Sequence, residues 1–443
     1  MEGAGDCFPA CFLLYFSMRY CVQTEAFQYM NAAGCIKALC LAGRIILENG
    51  GETYRAEDTV LRMAQALGLS EADVFAVPSG LFISFTDNGG ERRTSVSRVF
   101  LKGTHLARVD RINQISRQLS SGELSPDDLI DELKKAEHIG QNMAWWYAPL
   151  TAFLSAAGFA VMFGGGLVDM LVGGFCAALT QLVPLVFRGR DAAGMVGTMA
   201  GGILCALIPL WFQAVTGLGS PESMIASAIM PLVPGLSMTN AVQDIIRGDM
   251  VSGVAHCARA IMIAVMVAGG ALVGTHVYGM LHLTAPELAS VSESAFLWQF
   301  LRIFISSALA GAGFGALLYA PRKAILWGGL LGGVGYTAYW LVMRAGSGET
   351  SAMFVGALIA SFGAQMSARK LKMIATVFVT IAIIPLVPGL GLYRAMGAFA
   401  QGQTALGGST LAHAMALVVM IALGIGFGAA LRKPVKKEGA GRV

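Results

Sequence analysis

The chain has 443 residues, of which 55% are hydrophobic and 13% charged, and its mean hydropathy is +0.64. That combination excludes a soluble globular protein and a disordered one, so lipid is the solvent for most of the chain. The net charge of +4 joins two unlike parts: residues 1–143 carry 18 acidic and 14 basic side chains, and residues 144–443 carry 9 and 17.

At the amino end, the apolar stretch from Phe8 to Phe16 is too short to span a bilayer. It lacks a basic start and a cleavage signal, so it is not read as a signal peptide. Cys7, Cys11, Cys21, Cys35 and Cys40 cluster here, whereas Cys176, Cys205 and Cys257 lie in apolar runs. No C-x-x-C pair or histidine set accompanies them, which predicts reduced, buried thiols, no metal and no cofactor.

From Asn31 the periodicity is helical. An apolar run from Ile36 to Leu47 stops at Asn49, Gly50 and Gly51, and an amphipathic helix follows over Thr53–Leu67. Val74–Thr86 is rich in β-formers, and the turn signal from Asp87 to Gly90 separates it from a second strand over Arg92–Phe100, which predicts a hairpin. Helices are expected over 104–119 and 126–138, the second opened by Ser125 or Pro126. Glu52, Glu57 and Asp58 beside Arg55 raise the question of acid/base chemistry. Carboxylates in a first helical turn need no such role, and no nucleophile elbow, phosphate loop or metalloprotease motif accompanies them.

Beyond Ala144, ten apolar stretches are long enough or nearly long enough to span: 144–163, 167–187, 193–215, 222–246, 254–281, 296–319, 324–343, 350–366, 371–392 and 408–431. With the amino end inside, 14 of the 17 basic residues after position 143 fall in inner loops or the tail, among them Arg247, Arg322, Lys323, Arg369, Lys370 and Lys372. Arg302, Arg344 and Arg394 fall outside. Both termini are therefore expected in the cytoplasm.

The sequence Pro231-Leu232-Val233-Pro234-Gly235-Leu236 returns unchanged as Pro385-Leu386-Val387-Pro388-Gly389-Leu390, an offset of 154 residues. The register holds onward, with Gly253 matching Gly407, Ala260 matching Ala414, Gly270 matching Gly424 and Gly274 matching Gly428. The copies lie in the fourth and ninth spans, so they must run in opposite directions. This predicts a mainly α polytopic membrane bundle of about ten helices in two inverted five-helix halves, behind a small amino-terminal α+β domain. The expected domains are a cytoplasmic cap over 1–143, modules over 144–281 and 295–433, and a basic tail over 434–443.

Paired prolines free backbone groups that lipid cannot satisfy, which points to a polar cavity or to burial in protein. Pro234, Gly235, Pro388 and Gly389 are accordingly candidate substrate-site residues, with Thr239, Asn240 and Arg394 beyond the two breaks. Asp244 is a candidate proton carrier, or an interfacial partner of Arg247. Asp169 is a candidate for the same role, or a helix cap after Gly164, Gly165 and Gly166, and Glu222 beside Pro221 shares the ambiguity. His256 and His413 could carry protons or be interfacial.

The run Gly50-Gly51-Glu52-Thr53-Tyr54-Arg55-Ala56-Glu57-Asp58-Thr59, the hairpin with Ser84, Phe85 and Thr86, the stretch Arg108–Leu119 and the segment from Pro231 to Asp249 resemble the threonine/serine exporter family. The part from about Phe296 is similar to that family's second module, a separate protein in some bacteria. The resemblance implies a bacterial inner-membrane carrier, not an enzyme, that exports threonine and serine, driven by the proton-motive force. The expected partners are the lipid bilayer, a small amino-acid or dicarboxylate substrate and protons, with no nucleic acid; a homo-oligomer stays open. Split relatives are associated with succinate, so a dicarboxylate exporter is the alternative carrier. A membrane-anchored hydrolase is the alternative class. The expected mechanism is alternating access about the two breaks, with Asn240 and freed backbone holding the substrate and Asp244 the proton.

Overall fold

A computed structural model describes residues 31–87, 89–100, 103–141, 143–186, 193–280 and 296–431. The expectations for Phe8–Phe16, for Cys7, Cys11 and Cys21 and for the basic tail lie outside the described residues. The chain forms two compact units, Met1–Gln141 and Asn142–Val443.

In the first unit, helix α1 (Ala32–Glu48) starts where the Asn31 side chain accepts the Gly34 N–H at 2.7 Å, and α2 (Thr53–Ala66) follows the glycine turn. Strands β1 (Ser70–Val77), β2 (Gly80–Thr86) and β3 (Arg92–Arg98) form one antiparallel sheet in the order β1-β2-β3. The expected hairpin is thus a three-stranded meander. The run 74–86 is cut by Pro78 and Ser79, a two-residue turn hidden inside a stretch of β-formers, and Val77 pairs with Gly80 across it. Helices α3 (Leu106–Ser121) and α4 (Leu129–Glu137) complete the unit, α4 entered through a 3₁₀ turn at Pro126–Asp128.

The core of this unit lies on one face of the sheet, where Leu39, Ile45, Ile46, Met63, Leu81, Ile83, Phe85, Ile112 and Ile115 are fully buried. Glu57 serves the fold: its carboxylate accepts the Ala76 N–H at 2.8 Å and ties α2 to the edge strand β1. Asn49 and Arg108 join three helix ends. The Asn49 carbonyl accepts the His105 N–H at 3.1 Å, while Arg108 donates to the Asn49 side chain at 3.1 Å and to the Ile139 carbonyl at 2.9 Å. Burial and the adjacent Arg108 charge push the His105 imidazole down to about 4.

The second unit is a helical bundle. Helices α5 (Tyr147–Met162), α6 (Leu167–Thr180) and the short α7 (Val183–Val186) are followed by α8 (Ala193–Thr216), α9 (Pro221–Ile229), α10 (Gly235–Ile246) and α11 (Met250–Met280). After residue 295 come α12 (Phe296–Leu317), α13 (Arg322–Arg344), α14 (Glu349–Leu371), α15 (Ala375–Ile383), a 3₁₀ turn at Ile384–Leu386, α16 (Gly389–Ala400) and α17 (Thr404–Ala430). Among the described residues six helices are long and apolar enough to cross a membrane: α8, α11, α12, α13, α14 and α17. The pair α15/α16, bent by 54°, makes a seventh candidate, and α5 and α6 are shorter apolar helices. The ninth expected span runs on to Ala400 instead of ending at 392, because Gly389 restarts a helix after the break. Exposed Phe175, Trp211, Ile261, Val265, Trp327 and Phe427 give the bundle an apolar outer shell suited to lipid.

Packing repeats between the two stretches. Helix α5 packs on α6 and α9, α6 on α8 and α9, α8 on α9 and α11, and α10 on α11; α12 packs on α13 and α15, α13 on α14 and α15, α14 on α15 and α17, and α16 on α17. Each pair in the first set has its counterpart in the second. Across the two sets α5 packs on α12, α10 on α17 and α11 on α16. The α5–α12 approach depends on two glycines 155 positions apart: a Cβ at Gly158 would strike the Ala310 backbone, and one at Gly313 would strike the Ser155 backbone. The Ser155 hydroxyl donates to the Ala310 carbonyl at 3.2 Å in the same seam.

Gly158→Ala and Gly313→Ala are expected to lower stability in detergent by about 1–3 kcal/mol, because backbone has no rotamer to move aside. Gly269→Ala, where a Cβ meets nothing within 4 Å, should be neutral or mildly stabilising; thermal unfolding of the three variants checks the contrast. In the first unit, His105 binds its proton at lower pH folded than unfolded. Stability is therefore complete above the unfolded value near 6.5 and falls toward pH 4, by roughly 2–3 kcal/mol. Hydrogen exchange of α3 across that range should show the loss, and His105→Gln should flatten it.

Candidate transport site

Four prolines build the site. Pro231 and Pro385 cannot donate to Ser227 and Ile381 one turn back, and Pro234 and Pro388 cannot continue the helix. The chain turns tightly at both places: Gly235 N–H donates to the Val233 carbonyl at 2.9 Å, and Gly389 N–H to the Val387 carbonyl at 2.8 Å. Pro234, at φ −80° and ψ 41°, and Pro388, at φ −77° and ψ 52°, sit at the centres of matching inverse γ-turns. The same six residues fold the same way twice.

The two turns face each other. A side chain at Gly235 would collide with Val387, and a Cβ at Gly389 would come within 3.2 Å of Val233. Between them lies a cavity of about 20 Å³, lined by Phe159 and Phe314, Met230 and Ile384, Val233 and Val387, and Gly235 and Gly389. These are four pairs at offsets of 154 or 155 residues, so the cavity draws equivalent positions from the two stretches. Its volume admits about one water and is far below the roughly 300–1,000 Å³ of ligand pockets. The conformation is closed at this point.

Helix α10 carries the polar residues nearest the first break. The Thr239 hydroxyl donates to the Gly235 carbonyl at 3.1 Å and is buried, so it is occupied by its own helix. Asn240 is half-buried and its amide has no hydrogen-bond partner among the described residues. Gln243, also buried, follows one turn later. Asn240, Gln243, Asp244 and Arg247 recur at the spacing of one helix face; that spacing was the signal for Gln243, which the sequence reading passed over. Asp244 is 2% exposed and lies 3.0 Å from Nδ1 of His256 on α11.

The remaining candidates lie elsewhere. Asp169 is buried and accepts two backbone N–H groups, from Gly166 at 2.8 Å and from Ser220 at 2.6 Å, so it caps α6 and pins the turn before α9. Arg394 is exposed and pairs with Glu222 at 2.6 Å, linking α16 to the start of α9. It does not line the cavity. No group of three or more potential metal ligands occurs among the described residues. The sequence reading also missed Phe159 and Phe314, for which the 155-residue offset was the available signal.

A multi-pass apolar bundle with two broken helices meeting at its internal axis has the architecture of a membrane transporter. The chain belongs to the threonine/serine exporter family: residues 37–278 match the family model described as "Putative threonine/serine exporter", and residues 303–430 match "Threonine/Serine exporter, ThrE". It is 24% identical to the "Threonine/serine exporter" of Corynebacterium glutamicum, over 90% of this chain and 83% of that protein. It is 25% identical to the "Probable threonine/serine exporter" of Mycobacterium tuberculosis, over 90% and 76%. With the "Probable succinate transporter subunit YjjP" of Escherichia coli it shares 21% identity, over 55% of this chain and 95% of that one. No solved structure matches the chain. The protein is a membrane transporter and not an enzyme, and the hydrolase alternative falls.

Removing the imidazole in His256→Ala strands a buried carboxylate, whereas Asp244→Asn leaves a neutral amide. The first should cost more stability than the second, about 1–3 kcal/mol more. The double variant should recover part of that loss; a double-mutant cycle by thermal unfolding in detergent reads the coupling, and additive losses would dissolve the pair.

Proposed function

We propose that the chain exports threonine and serine by alternating access, with two inverted five-helix halves rocking about the cavity between the proline turns. The observation that carries this reading is the lining of that cavity by residue pairs 154 or 155 positions apart. A site on the exchange axis is where a rigid-body swing of one half opens one side as it closes the other. The topology argument supports inversion. From the turn at 247–249, α11, α12, α13 and α14 cross four times and return the chain to the same face at 372–374. Helix α10 therefore runs toward that face, and α15 with α16 runs away from it. Arg247, Arg322, Lys323, Arg369, Lys370 and Lys372 gather there, which marks the face as cytoplasmic.

The closed turns must part to admit a solute. Parting uncovers the Ser227 carbonyl, which Pro231 leaves without its usual donor one turn on, together with the Asn240 amide, which has no partner among the described residues. Carbonyls suit an ammonium group, and amides suit a carboxylate or hydroxyl. Asp244, buried against His256 next to this face, is the group that would exchange the coupling proton. Asp169, bonded to two amides, is a clamp rather than a carrier in this reading.

A dicarboxylate substrate is the second reading, motivated by the relative named a succinate transporter subunit. A second carboxylate calls for a free cation, and Arg394 is paired with Glu222; that pairing favours a zwitterion. Counterflow of labelled threonine, serine and succinate in proteoliposomes separates the two. Asp244→Asn should keep counterflow and lose acceleration by a pH gradient, by about ten-fold. An unchanged gradient response would remove Asp244 from coupling, and absence of flux for all three solutes would refute the substrate assignment.

A further inference from the structure

Among the described residues there are two carboxylate–histidine pairs, and the transport reading above uses one of them. In the second, Glu349 Oε2 lies 2.8 Å from Nε2 of His413, and the Tyr339 hydroxyl donates to Glu349 Oε1 at 3.3 Å. Glu349 opens α14, His413 lies on α17 and Tyr339 on α13, so the cluster ties three helices at one point.

The two pairs occupy opposite faces. Asp244 and His256 flank the turn at 247–249, and Glu349 follows the turn at 345–348. Helices α11, α12 and α13, each long and apolar enough to cross, lie between those turns. The stretches joining them are shorter than the roughly 20 residues another crossing needs. Three crossings put the turns on opposite sides.

The loop over 281–295 carries His282, Glu287 and Glu293 and lies outside the described residues; among the described residues the other charges at this end are committed. Arg394 is paired with Glu222, Asp169 with backbone amides, and Arg302 donates to the Val161 carbonyl. Arg344 donates to Gln299 and stacks on Phe296 and Trp340. Of the helices packed on α14, α13 faces Glu349 with Tyr336 and Tyr339, α17 with His413, and α15 carries no ionisable side chain. His276 on α11 is exposed and makes no contact with a carboxylate among the described residues. Among the described residues at this end, Glu349–His413 is thus the acid–histidine pair, and no arginine is part of it.

We propose that Glu349, His413 and Tyr339 form a second proton-binding station, on the face opposite Asp244 and His256, where the coupling proton is taken up. Neutral His413 donates from Nε2 to the Glu349 carboxylate, and the incoming proton adds to Nδ1, giving imidazolium beside carboxylate. No bond to carbon changes, and the same proton leaves from Nδ1. Tyr339 holds Glu349 in place as hydrogen-bond acceptor. The signal has a short path to the turns: Ala414, the next residue, packs with Met238 and Leu392 and stands 3.3 Å from where a Cβ on Gly391 would lie. This rests on the proton coupling proposed above.

The test uses full-length protein in proteoliposomes and whichever of labelled threonine, serine or succinate the wild type exchanges. Glu349→Gln and His413→Gln should keep counterflow at equal pH within about two-fold and lose gradient-driven flux by about ten-fold or more. Their pH profiles should flatten when pH is varied on the Glu349 side only. Tyr339→Phe should show the same pattern more weakly. Wild-type gradient response in both variants overturns the station, and so does a loss of counterflow that matches the loss of driven flux, which would mark a structural tie. A wild type that exchanges solute but ignores the gradient overturns the coupling reading and this proposal with it. Loss in Glu349→Gln with normal response in Asp244→Asn separates the two stations.

Discussion

Backbone amides and carbonyls have no partner in hydrocarbon, and the bundle is arranged around that constraint. Proline at 231, 234, 385 and 388 removes four donors from helices that would otherwise satisfy themselves. An isolated broken helix of this kind would expose polar backbone to lipid. Here each break is covered by the other, Val387 lying over Gly235 and Val233 over Gly389. Each break thus forms part of the cover over the other. The glycine seam between α5 and α12 holds the two sets of helices close enough for that contact.

Much of this was legible in the sequence, and the limits have physical causes. The six-residue repeat located both turns, because proline's missing donor acts locally and identically in each copy. That the copies touch was not legible, since no local rule fixes which buried surfaces meet. The same holds for Arg394 and Glu222, 172 positions apart, and for Asp244 and His256, whose pairing depends on how α10 folds back on α11. The Pro78 turn was masked by β-formers on both sides. A first-turn carboxylate such as Asp169 fits a cap or a proton carrier alike, and its contacts to two backbone amides, one of them 51 residues away, were not legible. Glu349 carried no signal at all, as its histidine partner is 64 residues away.

The backbone repeats but the charges do not. Asp244 corresponds to Ala398, His256 to Thr410, and Asn240 to Arg394. Packed glycines, which set how closely helices approach, recur with fidelity: Gly270 against Met199 is matched by Gly424 against Phe354, and Gly274 against Ile203 by Gly428 against Leu358. Helix contacts and charged chemistry therefore rest on different residues of the repeated frame.

That division has an energetic consequence. If the halves exchange places as proposed, inward-open and outward-open forms would have nearly the same set of helix contacts, and packing would favour neither. Any bias must come from groups that differ between the halves. On the coupling proposed above, an acid–histidine pair near one face and a different one near the other would supply such a bias, each answering to its own side. Direction of transport would then be written in a few unpaired substitutions on a symmetric scaffold, and the scaffold itself would be indifferent to it.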